Sequence, residues 1–197
     1  MNHLAHLFLA TPTAESLIGN LAGDFVKGAL HDRFTPGIRA GIVQHRHIDA
    51  FTDSHPSVAA FRRLLVPEHG HYSRVITDMF FDHFLARRFD ELGGEPLEQF
   101  LSRTFRTIDP HEHELPERLR MIYPRIRDEG WLLSYREISG IHFALKNMSR
   151  RLSRPHPLET STRHLTESRR ELETRFDEFF PEVVVYARDF HPDTINR

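Results

Sequence analysis

The stretch "GIVQHRHIDAFTDSHP", residues 41–56, places three histidines, two aspartates and an arginine within sixteen residues. Its apolar residues do not alternate as a strand would require. With Ile38 they recur at helical spacing. On a helix each residue turns by about 100°, so relative to Ile38 the positions fall near 40° for Ile42, 340° for His45 and 20° for Asp49. His45 and Asp49 therefore share the sector of the two isoleucines and point inward. Asp53 borders that sector, and His47 projects to the opposite side.

The same phase test extends outward along the chain. In a helix over 14–28, Leu17, Leu21, Asp24 and Gly28 lie on one face, so Asp24 sits in an apolar stripe. In "VITDMFFDHFLARRF", residues 75–89, the helix is apolar almost all round, as a central helix is, and Asp78 and Asp82 lie among Leu85, Ala86 and Phe89. Further helices suit 37–53, 72–90, 96–107, 115–129, 132–151, 157–180 and 182–189, punctuated by proline and glycine; no helix is assigned to 56–69. The expectation is an all-α bundle of seven or more helices in a single domain, residues 1–197.

Three helices thus aim carboxylates inward, with one histidine among them. An unpaired buried carboxylate costs several kcal/mol, and these sectors hold no lysine and little arginine to neutralise it. A divalent cation held by Asp24, His45, Asp49, Asp78 and Asp82 answers the charge. Oxygen and imidazole ligands without cysteine suit Mn²⁺ or Mg²⁺ better than a structural zinc. The competing reading is a polar network around Arg46 and His83.

Other features bound the function. The chain contains no cysteine, so thiolate metal sites and disulfides are impossible. No apolar run reaches the length of a membrane span, and the first residues lack a basic leader, so a cytoplasmic protein is expected. A net charge of −2 argues against a chain that coats nucleic acid. The adjacent pair His31-Asp32 matches the signature dipeptide of the His-Asp phosphohydrolases, but it falls in an expected loop before Pro36 and is read as a decoy. The histidines of "EHGHY" (68–72) and "PHEHEL" (110–115) are read as solvated.

The motifs "MNHLAHLFLA", "GNLAGDFVKG", "GIVQHRHIDAFTDSHP", "DMFFDHFLARRF", "MSRRL" and "RFDEFFP" resemble, in that order, the acyl carrier protein phosphodiesterases, from Met1 to about Pro181. The matching positions are Asn2, His6, Asp24, His45, Arg46, Asp49, Asp53, Asp78, Asp82 and His83. The resemblance implies a helical fold distantly related to the His-Asp phosphohydrolases and a Mn²⁺-dependent hydrolysis of the phosphodiester between 4′-phosphopantetheine and a serine of holo acyl carrier protein. The superfamily's His-Asp order is reversed here at Asp82-His83. Under this reading Asp24 helps hold the water-activating metal, His6 or His83 protonates the leaving oxygen, and Lys27 and Arg46 face the phosphoryl group. The substrate that the resemblance implies is a small acidic protein. Residues 149–175 carry seven arginines against four glutamates, and within them Arg150 and Arg151 are the expected docking residues. Two other functions stay open: a metal-dependent phosphohydrolase of nucleotides or small phosphoesters, and a non-catalytic helical binding module.

Overall fold

A computed structural model describes residues 1–30 and 33–191, so the pair His31-Asp32 lies outside the described residues. The described residues form twelve α-helices and no strand: α1 (His3–Leu9), α2 (Ala14–Ala22), α3 (Pro36–Ser54), α4 (Pro56–His69), α5 (Ser73–Arg87), α6 (Phe89–Gly93), α7 (Leu97–Ile108), α8 (Glu117–Asp128), α9 (Trp131–Ser134), α10 (Ile138–Ser149), α11 (His164–Glu167) and α12 (Arg169–Arg188). Short 3₁₀ turns link several of them, and the one at Gly23–Phe25 joins the end of α2 to the segment before α3.

The all-α expectation holds, and its departures have local causes. The largest departure is α4, a helix where none was expected. Pro56 does not only close α3; it occupies the first turn of the next helix, where its missing N–H costs nothing. His55 caps that helix by accepting from the Ser57 amide at 3.2 Å. Pro181, expected as a break, lies inside an unbroken α12. The expected helix over 132–151 splits into α9 and α10 at Tyr135–Glu137. The helix expected over 14–28 ends at Ala22, where the backbone tightens into the 3₁₀ turn carrying Asp24.

Helix α5 runs through the middle of the bundle, as its apolar circumference predicts. Phe80, Phe81 and Phe84 are essentially inaccessible, and Phe81 packs edge-on to Phe61 of α4 at 4.9 Å and stacks on Phe179 of α12 at 5.2 Å. Each such aromatic pair adds about 0.5–1.5 kcal/mol beyond the area it buries.

Helices α2 and α3 approach most intimately. At Gly19 a Cβ would stand 2.5 Å from the Ile38 carbonyl oxygen and 2.7 Å from the Gly41 Cα; at Gly41 it would stand 2.9 Å from the Gly19 Cα. Two facing glycines let the backbones touch. A polar clasp fixes the register: Asn20 Nδ2 donates to Gln44 Oε1 at 2.8 Å, and Gln44 Nε2 donates to the Ala187 carbonyl at 3.0 Å. A Gly19→Ala variant must push backbone, not a flexible side chain. Its unfolding free energy should fall by about 1–3 kcal/mol, read as a lower urea midpoint at unchanged slope.

Candidate functional site

The α2–α3 contact delivers the 3₁₀ turn directly onto His45. A Cβ at Gly23 would lie 2.2–2.6 Å from the His45 ring, so only glycine lets the imidazole lie flat against that turn. His45 Nδ1 lies 2.8 Å from the Asn20 carbonyl oxygen, which can only accept. Nδ1 therefore carries a proton, and Nε2 is the nitrogen offered to the site. Nε2 meets two carboxylates, Asp49 Oδ2 at 3.2 Å and Asp24 Oδ1 at 3.5 Å. Asp49 stands one turn along α3, in the phase expected from sequence.

Helix α1 closes the other side. His6 is fully buried; its Nε2 lies 3.1 Å from Asp49 Oδ1, and its ring stacks on His45 with centroids 3.7 Å apart. His6 Nδ1 is buried without a hydrogen-bond partner. His3, whose ring stacks on Phe25, reaches Asp24 Oδ2 at 3.9 Å. The Met1 ammonium bridges Asp49 Oδ1 at 3.3 Å and Asp78 Oδ1 at 3.1 Å.

Two imidazoles in face-to-face contact cannot both be charged without mutual repulsion. Burial and the neighbouring His45 hold His6 down to about 3, so it is neutral. Burial also pulls His45 down, but Asp24 and Asp49 outweigh it and raise it to about 9. Burial would raise both carboxylates, yet the imidazoles win at Asp24, which is lowered to about 2, and the imidazoles with the Met1 ammonium win at Asp49, which lies far below the usual range.

The ligand atoms of His6, His45 and Asp49 lie within 4.8 Å of one another, a group placed to hold a metal ion. The donor chemistry fits a cation. In the charged His45 the Nε2 proton lies between the two carboxylates, and a cation would take that proton's place against the same acceptors. The orphaned Nδ1 of buried His6 is a further unmet polar atom at the same place. Glu68, His69 and His164 form a second such group elsewhere in the fold.

The remaining expected residues are distributed around this core. Asp82 is wholly buried, and its oxygens accept from the Leu4 amide at 2.9 Å and the Ala5 amide at 3.1 Å. These are orphan donors of the first turn of α1, left open because Asn2 makes no capping bond and directs Nδ2 to Met79 Sδ. Asp82 is thus the cap of α1, supplied from α5. Asp78 contacts the site through the Met1 ammonium.

Arg46 donates from Nη2 to the carbonyls of Val26 at 2.9 Å and Gly28 at 3.0 Å, so it ties down the segment after the 3₁₀ turn. Lys27 is exposed on that segment. His83 is buried with Nδ1 2.7 Å from the Tyr135 carbonyl, and it is not brought to the cluster. Nor is Asp53, which pairs with Arg62 at 2.5 Å and Arg74 at 3.5 Å. His47 lies on the far side of α3 against Phe190 and Tyr186. Arg150 and Arg151 are exposed where α10 ends.

Sequence alone did not single out His3, and it pointed to His6 only as an acid. Both stand on α1, too short a helix for its phase to be fixed. Two glycines four residues apart, Gly19 and Gly23, were the available signal for the close α2–α3 approach and for the seat of the His45 ring.

Residues 1–183 match the family model described as acyl carrier protein phosphodiesterase. Three similar proteins carry that name. The one from Serratia proteamaculans is 36% identical over 96% of this chain and 98% of its own. Those from Photorhabdus laumondii and Shigella boydii are 32% and 35% identical, over 97% and 95% of this chain and 98% and 97% of theirs. No solved structure matches.

Asp82 carries the expected outcome for this geometry. Asp82→Ala strands two buried amides, each worth about 1–3 kcal/mol, so stability should fall by roughly 2–5 kcal/mol. Asp82→Asn, which keeps one acceptor, should lose less, with urea unfolding as the measurement.

Proposed function

The chain belongs to the acyl carrier protein phosphodiesterase family, and from that premise we propose that it hydrolyses the phosphodiester joining 4′-phosphopantetheine to a serine of holo acyl carrier protein, releasing the apo protein and free 4′-phosphopantetheine. The observation that carries the mechanistic reading is His45. Its Nδ1 is committed to the Asn20 carbonyl, and its Nε2 is aimed between Asp24 and Asp49. Such an imidazole is tautomer-locked and oriented for a metal.

We assign His45, His6, Asp49 and Asp24 as the residues that hold a divalent cation, with Mn²⁺ the preferred ion for a nitrogen–oxygen set and Mg²⁺ the alternative. Bound there, the cation would supply a water of lowered pKa and positive charge opposite the phosphoryl oxygens. The chain's own residues do the rest. Asn20 fixes the His45 tautomer, and Gly23 leaves room for the ring. Arg46 holds the 26–28 segment, which places Lys27 beside Asp24 in the sequence as a cation for the phosphate. Water adds its oxygen to phosphorus, the bond from phosphorus to the serine oxygen breaks, and that oxygen takes up a proton. His3, beside Asp24, is assigned to that transfer in preference to His83, which is buried against Tyr135.

The docking face proposed for the acidic carrier protein is the end of α10. Arg163, Arg169 and Arg175 are paired with Glu68, Glu173 and Glu178. Among the described residues Arg150 and Arg151 have no carboxylate partner. Phe143, 63% exposed, shares the outward stripe of α10 with Lys146 and Arg150. An apolar contact rimmed by basic side chains suits an acidic helical partner. No helix of the described residues is long and apolar enough to cross a membrane, and the cytoplasm is the proposed compartment.

Incubation with holo acyl carrier protein and Mn²⁺, followed by mass spectrometry, tests the activity; retention of the prosthetic group would refute it. His45→Gln should nearly abolish turnover, while His47→Gln should stay within a few-fold of wild type. Equal losses would show that the His45 face is not the reactive one. Arg150→Glu with Arg151→Glu should raise KM for the carrier protein severalfold and leave metal content unchanged, and added salt should weaken the wild type more than the variant. An unaltered KM would remove that docking face.

A further inference from the structure

The histidines of "EHGHY" are not all solvated as expected from sequence. His69 ends α4 with only 3% of its surface exposed, and His164 opens α11 with 7% exposed. The Nε2 atoms of both are buried and make no hydrogen bond. Buried polar nitrogens without partners are uncommon and call for a bound water or ion. Glu68 completes the group, and the ligand atoms of Glu68, His69 and His164 lie within 4.8 Å of one another.

The surroundings are those of a metal site with its outer shell already built. His69 Nδ1 lies 3.1 Å from His156 Nε2, which leaves the other ring nitrogen of His69 free for a ligand. His156 is itself held by stacking on Tyr72 at 4.6 Å. Arg163 takes Glu68 Oε2, while Glu68 Oε1 faces His164 Nε2 at 3.5 Å. Zinc–nitrogen and zinc–oxygen bonds of about 2.0–2.1 Å in a tetrahedron put neighbouring ligand atoms about 3.3–3.4 Å apart. The Glu68–His164 separation is therefore already that of one tetrahedral edge.

We propose that Glu68, His69 and His164 bind a second divalent cation of the zinc type, separate from the His6–His45–Asp49 site. Two imidazoles with a single carboxylate make a nitrogen-dominated set, which suits zinc, whereas the second carboxylate of the first group, Asp24, makes that set richer in oxygen. The ligands join the last turn of α4 to the start of α11, and through His156 the ion clamps the loop that follows α10. Its role is structural: it fixes the segment that carries Arg150, Arg151 and Arg154.

The test counts metal. The full chain bearing His45→Gln and Asp49→Asn, which removes the first group, is stripped with chelator, given Zn²⁺, dialysed and analysed for bound metal. It should retain one Zn²⁺ per chain, and adding His69→Gln and His164→Gln should take that to none. In the wild type, Zn²⁺ should raise the melting temperature; in His69→Gln/His164→Gln it should raise it less. Glu68→Gln keeps both imidazoles and covers the case in which the double variant does not fold; it should weaken Zn²⁺ binding tenfold or more without lowering the melting temperature of the metal-free protein. No bound zinc in the His45→Gln/Asp49→Asn chain, or equal zinc with and without the histidine pair, overturns the proposal. So does Glu68→Gln binding Zn²⁺ as tightly as wild type. None of these outcomes depends on whether the first site is catalytic.

Discussion

The backbone contact between Gly19 and Gly41 is the constraint from which the geometry of the first site descends. With side chains at those positions α2 and α3 would stand farther apart, and the 3₁₀ turn at Gly23–Phe25 would lift off the His45 ring. The contact also sets the Asn20–Gln44 clasp and, through the Asn20 carbonyl, the protonation of His45 Nδ1. One residue, Asn20, therefore serves packing with its side chain and the site with its backbone. A glycine pair at a helix-packing contact thus controls which nitrogen of His45 is available.

The carboxylates expected to point inward are satisfied by three different devices. Asp82 spends its oxygens on the first-turn amides of α1, where the positive end of the helix favours a negative group. Asp78 meets an ammonium. Asp49 and Asp24 face imidazole nitrogens and remain partly open to solvent, at 38% and 50% exposure. This last pair is the more open one; Asp78 is 29% exposed. The layering runs from the deep cap that anchors α1 to the rim where chemistry can occur, and α1 carries His3 and His6 between the two.

How much of this was legible depended on helix length. Helix α3 is nineteen residues long and regular, so its phase placed His45 and Asp49 inward and His47 outward correctly. Asp24 does not point inward in an apolar stripe: the helix assumed to carry it stops at Ala22, and a 3₁₀ turn leaves it half exposed beside His45. For Asp82 the phase gave burial correctly, but no spacing rule reveals that its partners are backbone amides of a helix seventy-seven residues away. Helix α4 was hidden because Pro56 reads equally as a stop and as a first helical residue, and with it went the burial of His69. The short segments hid the most, since α1 has seven residues and α11 four, and their partners are chosen by tertiary packing.

The rim residues also set an electrostatic condition on any phosphodiester that approaches. Asp24, Asp49 and Asp78 present three acidic groups; the Met1 ammonium and the His45 imidazolium offset them, and burial pushes Asp78 up toward its neutral form. An anionic phosphate brought to that surface is repelled by each charged carboxylate at close range, an interaction that burial strengthens because less water screens it. Lys27 adds one positive charge on the neighbouring segment, and the fixed guanidinium of Arg46 is spent on backbone carbonyls. The positive groups of the cluster lie against the carboxylates they offset, so acid and base here are matched to each other, and the tautomer of His45 is set by the Asn20 carbonyl behind it and not by the carboxylates in front.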